Sequence, residues 1–266
     1  MKNKKKILLV NDDGYQSAGF YPLYKALAGE YEVTAVAPDG ERSWIGKSIS
    51  AHGPLEVKKS KLGEFTVYAC SGTPADCAQI GLHDILRKPP DLLVSGINVG
   101  QNTGHARILS SGTIGAAMEA AFEGVRSLCA SLYVTSEHRR IHNFSRKDSR
   151  KYFENAAQIT LKIAKIIMNQ KFGNDLDIIS VNIPFEATVH SEFEVTRPHR
   201  EPYGKLFHKK GNKYIYKSPL TVLKYAEKNS DYKALSEGRI SITPLSLELS
   251  SRESFHELGR IMGKKW

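Results

Sequence analysis

Short apolar runs alternate with helical patterns over most of the chain, and this alternation constrains the fold more than any other feature. Lys6 to Val10 predicts a buried strand because four apolar residues follow one another there, and the apolar spacing of Phe20 to Ala28 predicts a helix. Further strands are predicted at 32–37, 65–69, 91–95, 128–134 and 177–183, and further helices at 73–86, 114–122 and 152–168. The pattern predicts an α/β fold with a Rossmann-like, mostly parallel sheet and helices on both faces.

The regular alternation ends near Phe185, where short β-like pieces rich in tyrosine and lysine take over. Strand and helix patterns return at 238–242 and 251–262. A chain of 266 residues is long enough for one large domain with an appendage. We therefore predict a Rossmann-like core over residues 1–184 and a C-terminal β and helical arm over residues 185–266.

The cysteine content and the hydropathy pattern predict a cytoplasmic protein. Cys70, Cys77 and Cys129 form no C-x-x-C pair and lie in apolar surroundings, as expected of reduced core thiols. Only four apolar residues separate the basic start from Asn11, too few for a secretion signal. No apolar stretch approaches the roughly 20 residues needed to cross a bilayer, so no membrane partner is predicted.

The formal net charge of +10 and the pI near 9.4 raise the question of a nucleic-acid partner. Lysines and arginines concentrate at the N-terminus, at 139–140, at 146–151 and at 205–217. With acids interspersed elsewhere, this distribution is more typical of a solvated basic surface than of a nucleic-acid groove. Such a surface would attract small anionic substrates, and nucleic acid remains a possible but less favoured partner.

Two neighbouring acids, Asp12 and Asp13, follow the first strand and precede Gly14. Adjacent carboxylates repel each other unless a cation lies between them, and oxygen ligands suit a hard ion such as Mg²⁺ or Mn²⁺. Both side chains can reach one ion only if the backbone leaves strand geometry, which Gly14 permits. The alternative is an acidic loop that caps the next helix.

Polar clusters also follow the strands predicted at 32–37 and 91–95. Because the ligand crevice of an open α/β sheet lies beyond the carboxyl ends of its strands, we expect these clusters to converge with the acidic pair. Ser43 and Asn98 would each add a neutral oxygen to the ion. For the glycine-rich stretch 96–104, predicted to be irregular, a purely structural loop is the alternative.

The segment Ser111-Gly112-Thr113 opens the helix predicted at 114–122, so hydroxyl and backbone N–H groups meet at its start. This arrangement predicts a phosphate-binding cradle, although an ordinary helix cap uses the same residue types. The sequence contains no P-loop and no G-x-S-x-G elbow, and none of the predicted helices carries an H-x-x-x-H pair. Metal ligands beside a phosphate cradle favour phosphoryl transfer to water.

Taken in order, these pieces resemble the SurE family of metal-dependent 5'-nucleotidases, survival-protein phosphatases that act on nucleoside monophosphates. The resemblance covers most of the chain, and an ordered series of motifs is more specific than any single one. It rests on ILLVNDDG at 7–14, APD at 37–39 with RS at 42–43, SGTPADC at 71–77, SGIN at 95–98 with Gly100, Asn102 and Gly104, SGT at 111–113 and SITPL at 241–245.

The resemblance implies hydrolysis of nucleoside 5'-monophosphates to nucleoside and phosphate with one Mg²⁺ or Mn²⁺ ion. Either carboxylate of the acidic pair would also orient the attacking water or act as the base. The arm would be exchanged between the subunits of a cytoplasmic homodimer or homotetramer. The implied metal ligands are Asp12, Asp13, Ser43 and Asn98, and the implied phosphate-binding residues are Asn102, Ser111, Gly112 and Thr113.

The stretch before the cradle departs from the family pattern, which has a tyrosine before Ser-Gly-Thr and an acid in the preceding loop. His105 and Arg107 stand in this stretch and predict extra positive charge beside the cradle. Two other functions stay open: a nucleotide-binding regulator without turnover, and an exopolyphosphatase or RNA-processing enzyme. A nicotinamide dehydrogenase is disfavoured because the first strand leads into Asp-Asp-Gly rather than G-x-G-x-x-G.

Overall fold

The computed structural model describes residues 4–135, 137–138, 150–200, 202–217 and 226–263. The basic residues at 139–140 and 146–149 lie outside these ranges, as do the first three residues. The strands are β1 (Lys6–Val10), β2 (Glu32–Pro38), β3 (Val57–Leu62), β4 (Phe65–Cys70), β5 (Leu92–Val99), β6 (Ser127–Tyr133), β7 (Ile178–Pro184), β8 (Phe193–Val195), β9 (Phe207–Lys210), β10 (Lys213–Tyr216) and β11 (Ile240–Leu245). The helices are α1 (Phe20–Ala28), α2 (Pro74–Ile80, extended by one π-helical turn at Gly81–Ile85), α3 (Gly104–Ser110), α4 (Gly112–Phe122), α5 (Arg150–Asn169), α6 (Asp231–Ser236) and α7 (Arg252–Ile261).

A nine-stranded sheet forms the centre of the fold, with the strand order β3-β4-β2-β1-β5-β6-β7-β11-β8. Strands β4, β2, β1, β5, β6 and β7 run parallel to one another. From β1 the chain builds the sheet first towards β2 and β4, and later in the opposite direction from β5 onward. This is the doubly wound order of an open α/β sheet, which confirms the predicted fold class.

The side chains of β1 alternate between two buried layers, one on each face of the sheet. Ile7 and Leu9 pack with Phe20 of α1 and Phe153 of α5 in one layer. Leu8 and Val10, together with residues of α2 and α4, form the other. Because side chains alternate along a strand, the apolar residues Ile7 to Val10 of β1 require cover on both faces, and the helices supply it.

The region after residue 184 contributes two strands to the central sheet and, between them in sequence, a hairpin outside it. Strand β11 pairs antiparallel with β7, and β8 pairs parallel with β11 at the sheet edge. Strands β9 and β10 form a separate antiparallel hairpin. The division into a core and an arm at residue 184 stays a prediction. Within the described residues, no helix combines the length and the apolar composition that crossing a bilayer requires.

The stretch 96–104 is more regular than its glycines predicted. Strand β5 continues to Val99, since Asn98 and Val99 pair with Ser131 and Leu132 of β6 after a shift in register. Helix α3 follows at Gly104 and was not predicted. Pairing with a distant strand and capping by a distant residue stabilise these elements, so local sequence did not reveal them.

The residue at the start of α3 is held by Asp231, which lies 127 positions later in the chain. Its fully buried carboxylate accepts hydrogen bonds from the backbone N–H groups of Gly104 (2.7 Å), His199 (3.0 Å) and Tyr232 (2.8 Å). Burial raises the pKa of Asp231, and the hydrogen bonds from the three N–H donors offset part of this rise. This side chain ties the C-terminal region to the loop after β5.

Replacing Asp231 by alanine should lower the free energy of unfolding by about 2–4 kcal/mol, because three N–H donors, two of them in buried hydrogen bonds, lose their acceptor. Asp231→Asn retains one acceptor oxygen and should lose less. Urea denaturation followed by circular dichroism measures both effects. Glu227→Ala, at an exposed position nearby, is the control and should change stability by less than about 0.5 kcal/mol. Equal losses for Asp231→Ala and Glu227→Ala would contradict the capping role.

Candidate metal and phosphate site

The predicted site residues lie at the carboxyl ends of the parallel strands, where the strand order reverses. Asp12 and Asp13 lie just after the end of β1, and Asn98 is the second-to-last residue of the neighbouring β5. The loop with Ser43 follows β2, the strand on the other side of β1. Ligand sites of open α/β sheets occupy this crevice, so the topology places these three segments side by side.

Asp12 connects three segments of the site. The hydroxyl of Thr113 donates a 2.6 Å hydrogen bond to its carboxylate, and the N–H of Arg42 donates to its main-chain oxygen at 2.7 Å. The side chain is only 4% exposed. Burial raises the pKa of the Asp12 carboxyl from 3.8 to about 6, the hydrogen bond from Thr113 acts in the opposite direction, and the charge of Glu41 adds a smaller increase. A carboxylate desolvated in this way favours a positive partner.

Asp13 points towards β5 and is half-buried. Its carboxylate accepts a 2.8 Å hydrogen bond from the N–H of Val99, the residue after Asn98. The chain turns sharply at Gly14, where φ is 88° and an added Cβ would lie 3.0 Å from the carbonyl carbon of Gly40. The amide of Asn11 donates to the carbonyl of Gly14 at 2.8 Å and stabilises the turn. The backbone therefore leaves strand geometry at this point, as two ligands on one ion require.

The two neutral candidate ligands are held by their own local contacts. The exposed hydroxyl of Ser43 donates to the carboxylate of Glu41 at 2.6 Å. The amide nitrogen of Asn98 donates to the carbonyl of Gly100 at 3.0 Å, which orients its amide group. Glu41 is a charged neighbour that sequence reasoning did not single out. The only signal for Glu41 in the sequence was its position between Asp39 and Ser43 in one loop.

The start of α4 lies directly against Asp12. Ser111 caps the helix by accepting a 3.2 Å hydrogen bond from the N–H of Ile114, and Thr113 is fully buried. An added Cβ on Gly112 would lie 2.8 Å from the Cβ of Asp12 and 3.2 Å from the carbonyl oxygen of Arg42. The helix dipole and the backbone N–H groups at this end favour an anion, which would then lie beside the acidic pair.

Asn102 is placed differently from the other predicted phosphate ligands. Its side-chain amide donates to the hydroxyl of Ser131 at 2.9 Å, and its backbone N–H donates to the amide oxygen of Asn182 at 2.7 Å. These buried contacts join the loop after β5 to β6 and β7. A phosphate contact by Asn102 stays a prediction. His105 and Arg107 lie on α3, which ends at Ser110 just before the cradle.

The donor set fits a hard divalent cation better than zinc. Among the residues that the structure describes, no group of three or more His, Cys, Asp or Glu side chains is placed to hold a metal. The predicted ligands include only two carboxylates, with a hydroxyl and an amide. Oxygen-only sets of this kind suit Mg²⁺ or Mn²⁺, which also retain water or a substrate oxygen. Asp12 is buried against the start of α4, and the identity of the ion stays a prediction.

The doubly wound sheet, with an acidic pair against a helix start at the carboxyl ends of its strands, has the arrangement expected of a phosphate-handling α/β protein. The model of one family, described as "Survival protein SurE", matches residues 7–205. The chain belongs to the SurE family, which confirms the resemblance based on its motifs.

Similar proteins match almost the whole chain. The 5'-nucleotidase SurE of Methanocaldococcus jannaschii is 38% identical over 268 residues, covering 97% of this chain and 98% of that protein. The 5'-nucleotidase SurE of Methanococcus maripaludis is 34% identical, covering 98% of this chain and 100% of that protein. The crystal structure of the SurE protein from Aquifex aeolicus matches with a TM-score of 0.79 at 31% identity, covering 97% of this chain and 99% of that one.

Proposed function

We propose that this protein is a divalent-metal-dependent 5'-nucleotidase that hydrolyses nucleoside 5'-monophosphates to nucleoside and phosphate. The observation that carries the proposal is the contact between Asp12 and the start of α4, made by the hydrogen bond from Thr113 and by Gly112. A cation ligand and a phosphate cradle in direct contact suit a phosphomonoester. The 5'-nucleotidase names of the relatives support the same reaction.

In the proposed mechanism, four side chains would hold one Mg²⁺ or Mn²⁺ ion: those of Asp12, Asp13, Ser43 and Asn98. When bound, the ion supplies positive charge that offsets the negative charge of the phosphoryl group. The backbone N–H groups at the start of α4 donate to the phosphate oxygens and fix the orientation of the phosphorus. The hydroxyl of Thr113 fixes the position of the Asp12 carboxylate, which would be one of the metal ligands.

Water attacks the phosphorus and the bond to the 5' oxygen breaks. The proton that the water loses is passed on, directly or through solvent, to the 5' oxygen of the leaving nucleoside. One carboxylate of the acidic pair orients the water or accepts its proton. Asp12 is suited to accept the proton because its carboxylate lies against the start of α4, where the phosphate would be held. Asp13 is suited to orientation because the N–H of Val99 holds its carboxylate at 2.8 Å.

Phosphate release from a panel of nucleoside monophosphates, with Mg²⁺, Mn²⁺ or EDTA, tests the function. We expect release with either ion, loss of release in EDTA, and recovery when the ion is returned in excess. Binding of nucleotides without release would favour the regulator. Faster release from polyphosphate or RNA than from monomers, falling steeply with salt, would favour the polymer-processing enzyme.

The C-terminal helix supports a homodimer or homotetramer as the working form. Phe255, Leu258 and Ile261 recur at helical spacing on α7, and each is more than half exposed. We propose that the arm of one subunit packs its apolar helix on another subunit. A cytoplasmic location is also proposed, supported by the three buried free thiols Cys70, Cys77 and Cys129.

Leu258→Glu should reduce the molar mass measured by size-exclusion chromatography with light scattering to that of a smaller oligomer or monomer. A charge in a buried apolar interface loses solvation without gaining a partner. Glu257→Gln, at an exposed position on the same helix, is the matched control and should leave the mass unchanged. An unchanged mass for Leu258→Glu would exclude this face of α7 from the subunit interface.

A further inference from the structure

Trp44 occupies a loop whose two ends are attached to the proposed site. Two residues before it, the N–H of Arg42 donates to the main-chain oxygen of Asp12 at 2.7 Å. Two residues after it, the N–H of Gly46 donates to the carbonyl of Ser110, the residue before the cradle, at 2.9 Å. Since two residues span at most about 7 Å, Trp44 lies within one short step of both attachment points.

The indole of Trp44 is held by rings from the C-terminal region yet remains half open. Its ring centroid lies 5.4 Å from that of Tyr203 and 5.7 Å from that of Tyr216, with interplanar angles of 62° and 67°. Phe207 extends the group, 6.1 Å from Tyr216. We call Trp44, Tyr203, Phe207 and Tyr216 the aromatic cluster. Edge-to-face contacts of this kind orient a ring, and 49% of the Trp44 surface stays exposed.

The aromatic cluster is also attached to the cradle side of the molecule. The hydroxyl of Tyr203 bonds to the hydroxyl of Ser110 and to the carbonyl of Ala106, both on α3. Trp44 itself adopts a φ of 61°, a conformation that residues other than glycine rarely adopt. The hydrogen bonds of Tyr203 to α3 place the ring that contacts the indole next to Ser110, the residue before the cradle.

The charge around the aromatic cluster suits an anionic ligand with a planar group. The hairpin of β9 and β10 carries exposed Lys209, Lys210 and Lys213. Their positive charge attracts phosphorylated ligands over about one Debye length, which the ionic strength sets. An exposed indole offers the stacking surface that any nucleobase can use.

We propose that Trp44 is the base-binding residue of the substrate site, stacking on the nucleobase while the start of α4 holds the phosphate. The proposal rests on the proposed function and deepens it, because it identifies what makes a nucleotide a better substrate than another phosphomonoester. Tyr203 and Tyr216 act as positioning residues for the indole. Stacking tolerates every base, so the preference among bases should be weak.

The kinetic test compares a nucleoside monophosphate with ribose 5-phosphate, which lacks the base. For Trp44→Ala we expect the ratio of the two kcat/KM values to fall about 5- to 150-fold, the range of one base–aromatic stack. The loss should lie mainly in KM for the nucleotide, and Trp44→Phe should restore most of the ratio. Phe193→Ala, at a 63% exposed aromatic residue on the edge strand β8, is the control and should keep the ratio.

A binding measurement separates this proposal from the proposed function. In a Trp266→Phe background Trp44 is the only tryptophan, and stacking by the base should quench its fluorescence. We expect quenching by a nucleoside monophosphate and not by ribose 5-phosphate, whether or not the enzyme turns over. Absence of phosphate release together with such quenching would overturn the proposed function alone.

Two results would overturn the role of Trp44. The first is an unchanged selectivity ratio in Trp44→Ala, and the second is equal quenching by the nucleotide and by ribose 5-phosphate. The first result could also come with a change in the oligomeric mass of Trp44→Ala. That combination would assign the aromatic cluster to a contact between subunits.

Discussion

Asp12→Asn is expected to lower kcat/KM for nucleoside monophosphates by about 10²- to 10³-fold or more while leaving the metal-free protein at least as stable as the wild type. The loss of activity follows because asparagine removes one of only two carboxylates in the proposed ligand set. The hydrogen bond from Thr113 can persist, since asparagine keeps an acceptor oxygen at the same position. The substitution therefore removes charge with little change in shape.

The stability expectation follows from the pKa of Asp12 in the metal-free protein. Burial raises that pKa from 3.8 in the unfolded chain to about 6 in the folded one, so the folded state holds the proton more tightly. The contribution to stability is fully present below pH 3.8 and is lost as the pH rises through 6. The difference amounts to roughly 3 kcal/mol as an upper bound. Asparagine does not titrate, so Asp12→Asn does not lose this stability as the pH rises. The variant should therefore be about 1–3 kcal/mol more stable than the wild type at pH 8.

Both halves of the prediction are measurable on the same preparations. Urea denaturation in EDTA at pH 5 and pH 8 gives the stability, and phosphate release with excess Mn²⁺ gives the activity. The control is Asp175→Asn, at an exposed loop position, which should change neither. Full activity of Asp12→Asn with metal present would remove Asp12 from the mechanism. A metal-free variant less stable than the wild type at pH 8 would show that the carboxylate is not desolvated.

Gly112→Ala should abolish most of the activity, with kcat/KM lower by about a hundredfold or more. An alanine Cβ would lie 2.8 Å from the Cβ of Asp12 and 3.2 Å from the carbonyl oxygen of Arg42. Neither atom is the free end of a flexible side chain, so Asp12 or the start of α4 must move. Either movement separates the acidic pair from the phosphate cradle.

The matched control is Gly29→Ala, at the end of α1, where the nearest atom to a new Cβ is the carbonyl oxygen of Ala26 at 3.5 Å. That substitution should leave activity within a factor of about two. Gly29 lies at the amino ends of the strands, whereas the site lies at their carboxyl ends. Phosphate release assays and circular dichroism of both variants separate loss of function from loss of fold. Wild-type activity in Gly112→Ala would show that the close packing of α4 on Asp12 is not required.

Strong local periodicity made the core elements predictable. The predicted bounds of β1 and α1 agree with the structure, because a run of apolar residues in Lys6–Val10 and the amphipathic spacing of Phe20–Ala28 each identify one element. The weaker patterns were less informative. Strand β3, which is mostly exposed, was not predicted, since its pairing with β4 and not its own hydrophobicity forms it.

The candidate site was predictable where its residues follow predicted strands. The acidic pair after β1 and the Ser-Gly-Thr segment are in contact through Thr113 and Gly112. The metal-binding, phosphate-binding and catalytic roles of all the predicted site residues, Ser43, Asn98 and Asn102 included, remain predictions. Glu41 was not singled out, because only the folded loop reveals its electrostatic effect on Asp12 and its bond to Ser43.

The sequence by itself determined the α/β class, the chemical character of the acidic pair and the family, because these follow from local pattern and residue type. Tertiary structure alone decided which distant groups meet. It placed Asp231 at the start of α3 and brought Tyr203 and Tyr216 to Trp44. The physical reason is that such contacts join residues more than 100 positions apart. Their formation depends on the folding of the whole sheet and on no propensity of the segments themselves.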